Sequence, residues 1–213
     1  TKETINVEVL PDVILTPNVG SRGIMWQEIE GKRRQSPARF MLSLFQAEDL
    51  QRIMYRMVGG FRWEMCKRIQ GARWNDASER SLTSDYSDYL ATFRKSKDLS
   101  SDVKEQIKSD LVKCKNNNKE MFIYDYMTWL QYESWGSPRL NRTVRGIMFT
   151  YCPFSKEIRQ QLRSNPLYTE VLDKYDIRLK AQTRHMDNLY TSIKKKGKEI
   201  PAEIEETKRL LLL

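Results

Sequence analysis

A heptad pattern of apolar residues near the C-terminus is the strongest structural signal in this chain. The apolar positions recur at alternating steps of four and three residues, and Gln182 is the one polar residue in the series. Such spacing keeps an apolar seam on one side of a helix. We therefore predict a long helix whose seam packs along a partner helix. The seam consists of Tyr168, Leu172, Tyr175, Leu179, Met186, Leu189 and Ile193.

The residues around this pattern predict where the long helix begins and ends. Asn165 followed by Pro166 suits a helix start, Gly197 suits a helix end, and Pro201 suits the first turn of a final helix. Ile204 and the residues around it continue a compatible apolar stripe. We therefore predict a C-terminal antiparallel helical hairpin over residues 165–213.

Helical patterns also predominate in the middle of the chain. The segment 47–69 has a clear apolar face, with Gly59 and Gly60 in its middle, which either bend the helix or let a neighbour approach closely. The segment 121–132 is apolar nearly all round, which is typical of a helix in the centre of a fold. Shorter helices are predicted to begin at Ile24, Ser36-Pro37, Ser84, Ser100, Gly136-Ser137-Pro138 and Ser155.

The N-terminal pattern is different, because apolar and polar residues alternate there. Residues 5–15 favour one or two short strands interrupted by Pro11, and residues 18–23 read as a loop. A lone strand needs a partner, which is either a hairpin within this segment, a segment of the protein beyond this sequence, or another chain. The predicted fold class is therefore mainly α: an extended N-terminal segment and loop at 1–23, a multi-helix body at 24–164, and the C-terminal helical hairpin at 165–213.

Composition narrows the class of protein. Charged residues make up 31% of the chain, above the usual ~25%, as long solvated helix faces require. No apolar run approaches the ~20 residues of a membrane span, and no signal-peptide pattern is visible. The three cysteines have no paired spacing, so we expect free thiols and a cytoplasmic location. With a single histidine, His185, we expect no metal site and no cofactor.

The net charge of +9 favours an anionic partner, and three basic groups are candidates for binding it. In the predicted helix up to Tyr151, Arg139, Arg142 and Arg145 fall on the side opposite the apolar face, with Phe149 among them. Such a row suits a phosphate backbone with stacked bases, and the alternative is a plain solvated face. The second group, Lys194, Lys195 and Lys196, suits nucleic acid or acidic lipid, or simply the negative end of the helix dipole.

The third basic group lies near the N-terminus. The loop at 18–23 contains Arg22 and glycines, and Lys32, Arg33 and Arg34 follow soon after it. Backbone amides of such a loop, with Arg22, suit a phosphate or carboxylate, but the pattern lacks the Walker lysine and a plain turn is the alternative.

Catalysis is the least favoured role. Asp125 and Glu64 lie in apolar surroundings, where a carboxyl group with a raised pKa can act as an acid or a base, or can pair with an arginine. No catalytic motif accompanies them. We therefore expect a non-catalytic interaction or scaffold module of a larger intracellular protein or assembly, which binds a protein partner or a second copy. A basic nucleic-acid-binding domain is the alternative, and an enzyme or small-ligand binder with a pocket near the central helix is the third.

Overall fold

The computed structural model describes residues 11–25, 39–152 and 155–212, and this part of the chain is mainly helical, as predicted. Contacts divide it into two compact units, a body over Pro11–Cys152 and a C-terminal unit that begins after Cys152. The division at 23/24 and 164/165 stays a prediction. The strands are β1 (Asp12–Gly20), β2 (Ile24–Met25) and β3 (Arg39–Gln46), and the helices are α1 (Leu50–Gln70), α2 (Leu82–Thr92), α3 (Ser101–Lys113), α4 (Asn118–Gln131), α5 (Arg142–Tyr151), α6 (Lys156–Leu162), α7 (Pro166–Lys195) and α8 (Ala202–Leu212).

A three-stranded sheet occupies the N-terminal part of the body. β3 lies in the middle, with β1 parallel on one side and β2 antiparallel on the other. The buried side of β3 contributes Phe40 and Leu42, which pack with Met25 of β2 and with Ile53 and Met57 of α1. Burial alternates from Arg39 to Leu42, as in a strand with one face on the core, whereas Leu44 and Phe45 at the end of β3 are both exposed.

Three predictions for this region are wrong. Ile24 begins a strand rather than a helix, and residues 39–46 form β3 instead of continuing a helix from Ser36-Pro37, which itself lies outside the described residues. Asn18 to Gly20 belong to β1 rather than to a loop. The predicted strand at residues 5–10 also lies outside the described residues. Long-range pairing explains the errors at β2 and β3, because the strands that pair with β3 lie far from it in sequence and leave no local signal.

The helices of the body begin at side-chain caps. Asp49 caps α1, and Asn117 caps α4, most of whose residues in the segment 121–132 are buried or half-buried, as expected for a helix in the centre of the fold. α2 begins at Ser81 rather than Ser84, because the two serines form a reciprocal capping box. α5 begins after Asn141 rather than at Gly136-Ser137-Pro138.

Aromatic rings fill the centre of the body. Trp63 of α1 packs against Phe122 of α4 with ring centroids 5.3 Å apart, and Tyr86 of α2 meets Phe122 edge-on at 5.4 Å. The aromatic contacts continue along α4 from Tyr126 to Trp129. This stack joins α1, α2 and α4 into one core.

The C-terminal unit is built on α7, whose 30 residues span about 45 Å. α8, with 11 residues and a length of about 16 Å, packs on the last part of α7. Met186, Leu189 and Ile204 form the buried cluster between the two helices, and Lys208 Nζ lies 2.7 Å from Asp187 Oδ1. Within the seam, Tyr168 and Leu172 are also buried, while Tyr175 and Leu179 are half-buried. Pairing of the whole seam with one helix stays a prediction.

Candidate functional site

The edge strand β1 carries exposed apolar side chains on both faces of the sheet. Val13, Leu15 and Val19 are 53%, 59% and 74% exposed, and Ile14 is 38% exposed. Helix α1 covers the middle of the sheet, since its buried cluster includes side chains of β2 and β3 and none of β1. Among the described residues, β1 pairs with a strand on one side only. Its other edge therefore has no strand partner among the described residues and lies beside apolar side chains.

The apolar surface of this edge continues onto the end of β3. Phe45, which pairs in register with Val19, is 61% exposed, and Leu44 is 52% exposed. The register shifts between Thr16 and Val19, where Pro17 interrupts the regular ladder. Proline has no backbone N–H, so the regular hydrogen-bonding part of β1 is Asp12 to Thr16. We call Asp12–Thr16 the β1 edge.

The predicted anion loop has a different structural explanation. Gly23 packs against Met57 so closely that a Cβ at position 23 would overlap the Met57 side chain. The glycine is therefore explained by packing between β2 and α1. Arg22 is exposed in the short connection between β1 and β2. The group Lys32, Arg33 and Arg34 lies outside the described residues.

The predicted solvent-facing placement is wrong for Arg145 and Phe149, because both side chains are buried. Arg145 Nε lies 2.8 Å from Glu133 Oε2, its Nη2 lies 3.0 Å from Glu133 Oε1, and Nη2 also donates to the Leu140 carbonyl oxygen at 2.8 Å. The helix wheel placed Arg145 outward because it contained no information about Glu133. Arg139 and Arg142 are exposed, and their binding role stays a prediction.

Glu133 was not anticipated from the sequence, and it organises the turn before α5. It is fully buried and accepts backbone N–H bonds from Arg139 at 2.6 Å and from Leu140 at 2.7 Å, besides its two bonds from Arg145. Burial favours the neutral acid, but the bonds from Arg145 and the two backbone amides outweigh it and lower the pKa of Glu133. Glu133 and Arg145 therefore form a buried ion pair inside the body.

The two carboxyl groups considered for catalysis have separate partners. Asp125 Oδ2 accepts a 2.6 Å hydrogen bond from the Tyr86 hydroxyl, so its partner is a tyrosine rather than an arginine. Burial raises the pKa of Asp125 to about 7. Glu64 instead pairs with Lys119, whose Nζ lies 3.1 Å from Glu64 Oε1. Both carboxyl groups are buried in the body, and a catalytic role for either of them stays a prediction.

The lysines at the end of α7 are exposed, and they adjoin a larger basic surface. Lys194, Lys195 and Lys196 all face solvent, and an open groove of about 580 Å³ runs beside the first two. Asp187, Tyr190, Thr191 and Lys208 complete the lining of this groove. In the second half of α7, up to these lysines, exposed residues spaced by three or four positions form a polar stripe that the sequence analysis did not identify. We call it the α7 stripe, and it consists of Lys180, Arg184, Asn188, Thr191 and Lys195.

The described residues contain neither a membrane-spanning helix nor a cluster of side chains that could hold a metal ion. No helix there combines the length and apolar character needed to cross a membrane. No group of three or more histidine, cysteine, aspartate or glutamate side chains in that part of the chain is arranged to hold a metal ion.

The comparison with protein families identifies the class of this chain. The model of a family described as a domain of unknown function (DUF8509) matches residues 71–210, and the chain belongs to this family. The match begins directly after α1 and includes α2 to α7 and most of α8. Searches of curated proteins and of solved structures gave no match.

Proposed function

We propose that this chain is an interaction module that joins protein chains through the β1 edge. The observation that carries the proposal is the exposure of Val13, Ile14 and Leu15 on a strand that has a described neighbour on one side only. An exposed apolar edge strand is a template for pairing with another strand, and soluble proteins normally protect such edges with charge or with a covering segment.

The pattern of the β1 edge favours a second copy of this chain as its partner. Asp12 and Thr16 are polar, and the three residues between them are apolar, so the segment is nearly symmetric about Ile14. Antiparallel pairing about a two-fold axis at Ile14 places Val13 opposite Leu15 of the second copy. It also places Asp12 opposite Thr16 of the second copy, so no like charges meet. The pairing turns two three-stranded sheets into one continuous sheet.

The expected dimer is weak and depends on concentration. A five-residue strand buries less than the ~800 Å² per partner that is typical of stable interfaces. Phe45 and Val19 add apolar area only if the two copies approach beyond the strand pair. We therefore expect a monomer at low concentration and a dimer at high concentration.

Sedimentation velocity over a wide concentration range tests the proposal. Ile14→Lys places two ammonium groups opposite each other at the two-fold axis, and we expect it to abolish the dimer while the circular dichroism spectrum stays unchanged. Leu15→Lys provides a second variant at an exposed position. Val112→Lys is the matched control, because Val112 is 65% exposed on α3, outside the sheet. The proposal is refuted if the chain stays monomeric at all concentrations. It is also refuted if Val112→Lys weakens the dimer as much as Ile14→Lys does.

A further inference from the structure

The α7 stripe is a straight line of polar side chains on the outer side of α7. Its members follow one another at steps of four, four, three and four residues, which keeps them on one side of the helix. From Lys180 to Lys195 the line is about 22 Å long. It lies opposite Leu189 and Ile193, which face α8. All five residues are exposed to solvent.

The cations of this stripe are not neutralised by carboxylates. Lys180, Arg184 and Lys195 form no ion pair with a carboxylate among the described residues. The earlier part of α7 differs, because Lys174 pairs with Glu170 at 2.7 Å. Two acidic residues of α7 lie within one turn of a stripe cation, and each pairs with another cation: Asp176 with Arg163, and Asp187 with Lys208 of α8 at 2.7 Å. Positive charge therefore accumulates along the second half of α7, and the lysines at 194–198 extend it.

The chemistry of the stripe favours the phosphate backbone of a duplex over other polyanions. The Asn188 amide and the Thr191 hydroxyl alternate with the cations, and such side chains with Arg and Lys make most contacts to phosphate. The stripe contains no aromatic ring on which an unpaired base could stack, as proteins that bind single strands require.

A membrane surface fits this side of α7 less well. A helix that lies on a membrane needs a continuous apolar face beside its basic one. In the second half of α7 the apolar face is occupied by α8, through Met186, Leu189 and Ile204. Ile177, which is 68% exposed, is the isolated apolar residue at the start of the stripe.

We propose that the α7 stripe binds double-stranded nucleic acid through its phosphate backbone, without dependence on base sequence. The proposal rests on α7 alone and is independent of the β1 edge. Three phosphate contacts, one for each cation of the stripe, give a plot of log K against log salt concentration a slope of about −2.7. The neighbouring lysines at 194, 196 and 198 make the slope steeper.

Fluorescence anisotropy with a labelled DNA duplex of random sequence, repeated at several salt concentrations, tests this proposal. The variant Lys180→Gln/Arg184→Gln/Lys195→Gln should weaken binding by at least about tenfold at low salt and reduce the slope by about three. The control carries Lys95→Gln, Lys97→Gln and Arg52→Gln, which are exposed positions in the body and remove the same net charge. We expect this control to stay within about twofold of the original chain.

Three results would overturn the proposal. The first is an absence of duplex binding at low salt. The second is an equal loss of duplex affinity in the stripe variant and in the control, which would show that binding depends on net charge and not on the stripe. The third is binding to vesicles that contain anionic lipid without binding to the duplex, which would indicate a membrane surface. Ile14→Lys should leave duplex binding unchanged, so failure of this proposal and failure of the proposed dimer can be distinguished.

Discussion

The Tyr86 hydroxyl of α2 lies 2.6 Å from Asp125 Oδ2 of α4, in the aromatic core of the body. Burial raises the pKa of Asp125, the hydrogen bond from Tyr86 opposes the rise and the charge of Asp110 adds to it, and the net result is a pKa of about 7. Burial and the neighbouring Asp125 also raise the pKa of Tyr86 well above its usual value. The core therefore holds a carboxyl group that ionises near neutral pH.

We expect Asp125 to make the protein less stable as the pH rises. Its pKa is about 7 in the folded protein and 3.8 without the fold, so its contribution is full below pH ~4 and is lost as the pH rises through 7. A shift of about three units corresponds to at most about 4 kcal/mol. Asp125→Asn removes this dependence, so its stability relative to the original chain should increase between pH 4 and pH 7. Urea unfolding at several pH values measures the difference.

Tyr86→Phe provides a control for this titration. The phenyl ring keeps the aromatic packing but removes the donor that lowers the pKa of Asp125, so the loss of stability should extend to higher pH. Parallel unfolding profiles for Asp125→Asn and the original chain would contradict the assignment.

We expect the buried pair of Glu133 and Arg145 to be essential for the stability of the body. Glu133→Ala leaves the Arg145 guanidinium, 7% exposed, without its counter-charge, and such a change costs about 3–5 kcal/mol. Because the fold lowers the pKa of Glu133, its contribution is present above pH ~4.5 and is lost on acidification, opposite to that of Asp125. Urea unfolding at pH 7 and at acidic pH measures both effects.

An exposed ion pair provides the comparison for Glu133. Lys108 and Glu105 of α3 lie 3.4 Å apart, and their side chains are 56% and 73% exposed. Glu105→Ala should change the free energy of unfolding by about 0–1 kcal/mol. Equal changes in the free energy of unfolding for the two alanine variants would show that burial does not increase the contribution of the Glu133 pair to stability.

Local signals in the sequence predicted most of the helices, and long-range pairing explains the main errors. Asn165, Pro166 and Gly197 mark the ends of α7 through their own backbone preferences, which need no tertiary contact. β3 follows directly after the predicted helix start at Ser36-Pro37, and its partner β1 lies far away in sequence. A short apolar run is compatible with a strand and with a helix, and only the tertiary partner decides.

The candidate sites also divide into features with a local sequence signal and features that depend on tertiary contacts. The pairing of Arg145 with Glu133 depends on a turn between α4 and α5 that a helix wheel cannot include. The α7 stripe was accessible in principle, because a wheel over α7 brings Lys180, Arg184 and Lys195 to one side. Consecutive lysines such as 194–196 form a visible run in the sequence. Cations spaced by a helical turn are separated by other residues, so they do not form such a run.

We expect opposite effects from alanine at the two adjacent glycines of α1. A Cβ at Gly59 would lie 2.9 Å from Cδ1 of Tyr126 in the core, so Gly59→Ala should destabilise the protein by about 1–3 kcal/mol. A Cβ at Gly60 would be 3.5 Å from Ile123 Cδ1, an ordinary contact. Gly60→Ala should therefore stabilise the helix by about 0.5–1 kcal/mol. Thermal or urea unfolding of the two variants checks the signs, and equal signs would contradict this packing.

We expect α8 to depend on α7 for its structure. An isolated helix shorter than ~12–15 residues is marginal in water, and α8 has 11 residues. Leu189, 9% exposed, lies in the cluster with Ile204, so Leu189→Ala should release α8 and speed its cleavage in limited proteolysis. Ile177→Ala is the matched control on the same helix, because Ile177 is 68% exposed and its loss should leave cleavage unchanged. If both variants are cleaved at the original rate, α8 keeps its structure without the Leu189 contact.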